Sequence, residues 1–384
     1  MSRKILSLLA AAMICTGVVS AADFTRVDSL INAAIGEKIV PGAVLCVARG
    51  DSIIYRKTYG YRQLVPVQGQ AENWNGPVPM TENTVFDLAS CTKVAATTIA
   101  VMQLWEQGRL KLDAPVGKYL KPFRGQDLRV IDLLTHTSGF IGDQWKKLAG
   151  YDRFLAYGDQ APWKLVKYLA HESPRSPRNT RCSYACTNFF LLQQIVEKIS
   201  GERLCDYVQK HIYSVLGLHD TRFLPLDEPI PEEYLSRVAP ELAEDRIGVV
   251  HDPFARRICR GNAGNAGLFS TAEDLAQLAI ALMNGGQGIL KPETIAKMAT
   301  VVDERFGRAI GWDVHAAKSV LKGHSLSPST IVHGGYTGTM IAIDLENKIA
   351  IVLLSNRCHP EDAHYTAWQN AREVISTEIG GQLL

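Results

Sequence analysis

A serine and a lysine three residues apart, Ser90 and Lys93, stand in the run Asp87-Leu88-Ala89-Ser90-Cys91-Thr92-Lys93-Val94. On a helix that spacing is just under one turn, so both side chains share a face and the amine can reach the hydroxyl. A free serine hydroxyl attacks a carbonyl poorly at neutral pH, and a neighbouring base that takes its proton activates it. The start of a helix adds unpaired backbone N–H groups that favour developing negative charge. Taken alone, the same pair is also what a solvated helix face carries.

Two further stretches carry chemistry. In Cys182-Ser183-Tyr184-Ala185-Cys186-Thr187-Asn188 a tyrosine sits in a polar loop just ahead of an apolar helix. A phenol oxygen beside a lysine ammonium is favoured in its anionic form and can relay a proton. Read by itself, Tyr184 is equally a packed tyrosine with its hydroxyl satisfied. In Ile331-Val332-His333-Gly334-Gly335-Tyr336-Thr337-Gly338-Thr339 a strand ends in two glycines. They would let a substrate backbone lie against the strand, and a backbone N–H beyond them can serve an oxyanion.

The elements that must position these residues follow from apolar periodicity. Residues 24–37 read as an amphipathic helix, and 43–49 with 52–59 as a hairpin turning at Gly50-Asp51. A loop covers 62–83. From Ser90 to about 220 the patterns are helical, at 90–107, 129–135, 162–171, 187–200 and 203–214, broken by Pro and Gly. Residues 221–260 carry no regular pattern. Thr271 is a good N-cap for a helix to about Asn284. Strands are expected at 309–315, 330–333, 339–345 and 349–355, and a closing helix at 361–378. The expected class is therefore α+β: an antiparallel sheet built by the two ends of the chain, with a helical insertion between them. One unit, 22–384, is expected, with 22–85 and about 265–384 in the sheet lobe and about 86–264 in the helical lobe. Facing lobes leave a cleft, where pockets commonly form.

Composition narrows the class. With 46% hydrophobic and 21% charged residues and a formal charge of +2, the chain is an ordinary globular protein able to bury a large core. It has no basic run or basic-aromatic stripe to suggest nucleic acid, and no charge suited to an anionic membrane. Residues 1–21 resemble a secretory leader: Arg3 and Lys4, an apolar run from Ile5 to Val19, then Val19-Ser20-Ala21. That run is shorter than the roughly 20 residues of a membrane span, so export without stable membrane insertion is expected. Losing Cys15 would leave seven cysteines, Cys46, Cys91, Cys182, Cys186, Cys205, Cys259 and Cys358, an odd number that leaves at least one free thiol. Cys182 and Cys186 could be linked or share a metal, but no paired histidine motif accompanies them, and neither metal nor cofactor is expected.

In this order and at these intervals, the three stretches resemble the serine β-lactamase and penicillin-binding protein family. The branch is the one that contains class C β-lactamases, DD-peptidases, D-aminopeptidases, esterases and muramoyl-peptide amidases. Pro41–Val44, Leu133–Gly139 and Gly267–Leu275 extend the likeness over nearly the whole mature chain, and His136 falls within it as scaffold. The resemblance implies a β-lactamase/DD-peptidase-like fold, Ser90 as nucleophile, Lys93 as its activator and Tyr184 as proton shuttle. It implies an oxyanion hole from the backbone N–H groups of Ser90 and Tyr336. It places His333, Gly334 and Gly335 along the substrate, and Asn356, with Arg357 beside it, near a substrate carboxylate.

Two positions depart from the family pattern. Cys186 stands where Asn or Asp would contact a substrate amide, and a thiol is a poor hydrogen-bond partner. Asn188 is the candidate to reach inward instead, or else to cap the next helix. Cys91 follows the nucleophile directly and is expected to pack away from the cleft. The implied function is an exported serine hydrolase acting through an acyl-enzyme on a cell-wall peptide or muramoyl-peptide amide, its partner a small molecule or peptidoglycan fragment. A carboxylesterase or weak β-lactamase of the same fold is the alternative within this chemistry. A non-catalytic penicillin-binding or sensor module is the alternative outside it.

Overall fold

In the computed structural model, strands β1 (Gly42–Arg49) and β2 (Ser52–Gln63) form the hairpin expected around Gly50-Asp51. The structure describes residues 22–140, 152–172 and 174–384; the leader-like segment and Cys15 lie outside them. With β3 (Val78–Pro79), β7 (Ile331–Gly334), β8 (Met340–Asp344) and β9 (Ile349–Leu354), the hairpin makes a six-stranded antiparallel sheet in the order β3-β2-β1-β9-β8-β7. The two ends of the chain meet where β1 pairs β9, Leu45 opposite Leu353.

Both faces of the central strands are covered. Ala43, Leu45, Val47, Ile351 and Leu353 pack against the terminal helices Thr25–Gly36 and Tyr365–Leu383. Their neighbours Val44, Cys46, Ala48, Val352 and Leu354 point into the larger core, on the side where helix Ala272–Met283 lies. A strand buried on both sides loses the apolar-polar alternation of a one-sided sheet and reads as a continuous apolar run.

The helical part carries Thr98–Glu106, Ala161–His171 and Cys186–Ser200, close to their expected spans. A small sheet joins it to the main one: β4 (Phe86–Asp87), β6 (Leu268–Ser270) and β5 (Arg222–Phe223), in the order β4-β6-β5. β4 runs directly into the Ser90 turn, and β6 supports it. Leu88 N–H donates to the Leu268 carbonyl at 2.9 Å, and Leu268 N–H to Thr92 Oγ1 at 3.1 Å. Thr271 then caps the next helix, accepting from Asp274 N–H at 3.2 Å.

Two expectations are corrected. Residues 309–315 form no strand: Gly311 (φ 83°) turns the chain so that Asp313 bridges back to Arg308, and the two side chains make a buried ion pair. The closing helix spans Tyr365–Leu383, because residues 361–364 bend, with His364 at a φ of 58°, where the helix was expected to start. Among the described residues no helix is long and apolar enough to cross a membrane.

Candidate active site

Ser90 lies in a 3₁₀ turn, Ala89–Cys91, followed by one π-helical turn, Lys93–Thr97, before helix Thr98–Glu106 begins. Ala89 has a φ of 44°, a left-handed conformation that costs a residue with a Cβ about 1–2 kcal/mol. The surroundings over-determine it. Buried Asp87 accepts from Ala89 N–H and from His251 N–H, both at 2.8 Å. Thr337 and Thr339 donate their hydroxyls to the carbonyls of Asp87 (2.7 Å) and Leu88 (2.9 Å). The segment after β7 is thus tied onto the Ser90 turn.

Gly335 is what permits this approach. A Cβ there would lie 2.4 Å from the Leu88 carbonyl oxygen and 2.1 Å from Thr339 Oγ1. The resemblance places that glycine along the substrate; the structure adds a packing requirement from below. Gly335→Ala is expected to destabilise the fold by about 1–3 kcal/mol through overpacking. Turnover should fall with it, because the Tyr336 N–H beyond it is displaced. A denaturant midpoint and a rate on the same sample check both.

Lys93 is fully buried. Its Nζ donates to Ser90 Oγ at 2.9 Å and to the Asn265 carbonyl at 2.8 Å, and lies 3.7 Å from Cys186 Sγ. Burial works against its charge, the neighbouring Cys186 and Tyr184 favour it, and the net direction is upward. The ammonium sits 5.0 Å from the centre of the Tyr184 ring. The Tyr184 hydroxyl is buried without a hydrogen-bond partner among the described residues, which leaves it available to a reacting group. His136 holds this tyrosine in place. Its ring packs 4.4 Å from that of Tyr184, its Nδ1 accepts from Ala185 N–H at 3.1 Å, and its carbonyl accepts from Ser183 N–H at 2.8 Å. Burial, with Arg308 and Lys93 nearby, keeps His136 well below the usual histidine range, so it acts as a neutral support.

The cleft above Ser90 encloses about 420 Å³, and Tyr184, Cys186, Gly334, Gly335 and Tyr336 line it. The Tyr336 N–H has no acceptor among the described residues, as an oxyanion donor requires. One rim is a stack of three rings, Tyr336 lying 5.5 Å from His251 and 5.4 Å from Tyr365. His333 lies behind the cleft wall, its Nδ1 donating to the Gly334 carbonyl at 3.1 Å. Burial and the neighbouring Lys93 and Arg308 push it well below the usual range, so it brings no charge to the site.

Three assigned substrate contacts are corrected: His333, buried behind the wall, Asn188 and Asn356, and Arg357 with them. Asn188 is fully buried, accepts from Ser138 Oγ at 2.7 Å and contacts His136 Nδ1 at 3.1 Å, so it neither reaches the cleft nor caps the helix. Asn356 is also buried and donates to the carbonyls of Arg62 (2.8 Å) and Pro240 (2.7 Å), tying strand ends together. Arg357 is locked beneath Tyr336, donating to its carbonyl at 2.9 Å and pairing with Asp362 at 2.8 Å. Cys91 is buried against the third stretch, its Sγ 3.6 Å from the His333 carbonyl, as expected of a residue facing away. Cys46, Cys91, Cys182, Cys186, Cys205, Cys259 and Cys358 are all free thiols.

The ligand atoms of His251, Cys358 and Asp362 lie within 4.8 Å of one another beside the cleft. The buried Arg357 guanidinium donates to Cys358 Sγ at 3.1 Å and also pairs with Asp362, and a metal ion there would meet that positive charge.

Among the lining residues that the sequence does not single out are His251, Lys318 and Arg372. Lys318 carries no local signal. Arg372 carries one, because it shares the spacing of buried Trp368, Ile375 and Ile379 and so puts an arginine on the apolar face of its helix.

A serine turn, a buried lysine and a tyrosine loop between a sheet and a helical lobe fit one class, the serine hydrolases. The sequence model of the Beta-lactamase family matches residues 27–375, and the chain belongs to that family. It is a serine hydrolase of that family with the β-lactamase/penicillin-binding-protein fold. It is 32% identical over 356 residues, 83% of this chain and 79% of the other, to an Escherichia coli O157:H7 protein named "Putative D-alanyl-D-alanine carboxypeptidase". Two solved structures are similar in fold. A class C β-lactamase has a TM-score of 0.69 at 21% identity, covering 94% of this chain and 96% of its own. EstCE1, a hydrolase with promiscuous acyltransferase activity, has a TM-score of 0.66 at 23% identity, covering 91% and 97%.

Proposed function

We propose that this hydrolase is exported and cleaves a terminal amide of cell-wall peptides through an acyl-enzyme, as a D-alanyl-D-alanine carboxypeptidase or on a muramoyl peptide. The observation that carries the chemistry is the contact of Lys93 Nζ with Ser90 Oγ at 2.9 Å, beside an unpartnered Tyr184 hydroxyl. Ser90 Oγ attacks the carbonyl as Tyr184, in its phenolate form beside the Lys93 ammonium, takes the proton. The oxyanion is held by the N–H groups of Ser90 and Tyr336, each donor worth about 3 kcal/mol in the transition state. Tyr184 returns the proton to the departing amine. Water then attacks the Ser90 ester, releasing the acid and restoring the hydroxyl. The identity to the relative of that name supports the substrate, and the leader-like residues 1–21 support export.

An esterase is the second reading. It is favoured by the Cys186 thiol in the cleft and by Asn188 facing away from it, which leave no side-chain amide at that point to recognise a substrate amide. Steady-state rates on a p-nitrophenyl ester, a D-alanyl-D-alanine peptide and a muramoyl dipeptide decide between them. Release of D-alanine or of the muramoyl amide product is expected, and turnover of the ester alone would overturn the cell-wall reading.

A further inference from the structure

The N–H of Tyr336, one of the two oxyanion donors, follows directly on Gly334 and Gly335. Glycine gives a chain its greatest backbone freedom, so a donor that must be aimed before charge develops has to be held from elsewhere. Two grips hold it. The peptide that carries this N–H has its carbonyl on Gly335, and a planar trans peptide points the two in opposite directions. Gly338 N–H donates to that carbonyl at 3.2 Å. The next peptide is gripped by an arginine: Arg357 donates to the Tyr336 carbonyl from Nη2 at 2.9 Å and from Nε at 3.2 Å. Its backbone N–H also donates to the Thr337 carbonyl at 2.7 Å.

The guanidinium is itself fixed. Its side chain is fully buried, donates to the Ala363 carbonyl and to Cys358 Sγ (3.1 Å), and pairs with Asp362 at 2.8 Å. With the two bonds to Tyr336, these partners take up the whole fork of N–H groups that an arginine offers, and none is left over for a substrate. Asp362 in turn accepts from the Tyr336 hydroxyl at 2.6 Å. Arginine and aspartate thus hold one residue by its carbonyl and by its ring, and the guanidinium lies 4.9 Å from the centre of that ring.

We infer that Arg357, fixed by Asp362, is the positioning residue that aims the Tyr336 N–H at the oxyanion. This role rests on the acyl-enzyme reading and adds to it a clamp from outside the three motif stretches. It also gives the buried Arg357 a task other than contact with a substrate carboxylate.

Three variants of the full chain test the clamp: Asp362→Asn, Arg357→Lys and Arg357→Met. A lysine keeps the charge but cannot grip a carbonyl with two N–H groups in a fixed fork. Hydrogen exchange over residues 331–340 reads the clamp without chemistry and should quicken at least about threefold in each variant. Turnover is read on p-nitrophenyl butyrate, a neutral ester. There kcat should fall about tenfold in both Arg357 variants, less than the loss of a whole donor would cost, and about threefold in Asp362→Asn, with KM within about twofold of the wild type. A misaimed donor costs the transition state and spares the ground state. Affinity for an arylboronic acid, whose tetrahedral adduct on Ser90 places an oxygen where the oxyanion forms, should fall in parallel with kcat. Asp362→Asn, on an exposed residue, keeps the test open if the Arg357 variants do not fold. Exchange, kcat and boronic-acid affinity all unchanged in Asp362→Asn would overturn the clamp. So would a raised KM at constant kcat, which is the mark of a substrate contact. Quickened exchange in the variants of a wild type that neither hydrolyses the ester nor takes up the boronic acid would instead overturn the hydrolase reading and leave the grip on Tyr336 standing.

Discussion

Ser90→Ala is expected to lower turnover of every carbonyl substrate by on the order of 10³-fold or more, because the residual rate then rests on binding and the oxyanion donors alone. The substitution removes one hydroxyl, whose hydrogen bond is the one from Lys93, and leaves intact the Asp87, Thr337 and Thr339 contacts that shape the turn. The protein should therefore fold, with an unchanged denaturation midpoint. Intact-mass measurement after a fluorophosphonate or penicillin gives the second readout. A covalent adduct on the wild type and none on Ser90→Ala is the expected result. No adduct on either, or equal adducts on both, would remove the nucleophile and favour a binding or sensor module.

Lys93→Met should separate catalysis from stability. Without the ammonium, Ser90 Oγ loses its hydrogen bond and Tyr184 the cation beside its ring, and kcat should fall by about 10²–10⁴-fold, the usual worth of a positioned acid-base group. Stability should hold or rise, since a buried charge replaced by an apolar chain of similar length is often neutral or stabilising. The Asn265 carbonyl loses its donor, which sets the limit of the gain. Single-turnover kinetics and a thermal melt on one preparation read both quantities. Near-normal turnover would overturn the role of Lys93, and a collapsed fold would show the lysine to be structural.

Much of the site was legible in the chain because its chemistry is local. Ser90 and Lys93 sit less than a turn apart, and that spacing alone places amine on hydroxyl. Thr271 announced its helix through side-chain capping, and the run Ala43–Arg49 announced a strand through its apolar continuity. What remained hidden depends on contacts far apart in sequence. The apolar stretch 309–315 has strand composition, yet Gly311 and the buried Arg308–Asp313 pair fold it into a turn. Asn188 and Asn356 have the right type for substrate recognition, but which way a side chain points is set by what it meets. Asn188 meets His136 and Ser138; Asn356 meets the backbone of Arg62 and Pro240.

The sequence by itself determined the Ser90–Lys93 spacing, the tyrosine loop ahead of its helix and an antiparallel sheet closed by the two chain ends, because each rests on short-range spacing or apolar period. Only the tertiary structure decided what surrounds them. It ties the glycine-rich edge to the Ser90 turn and leaves His333 neutral behind the wall. Residues 87 and 88 meet Thr337 and Thr339 because distant elements pack together, and a juxtaposition made by packing leaves no trace in local pattern.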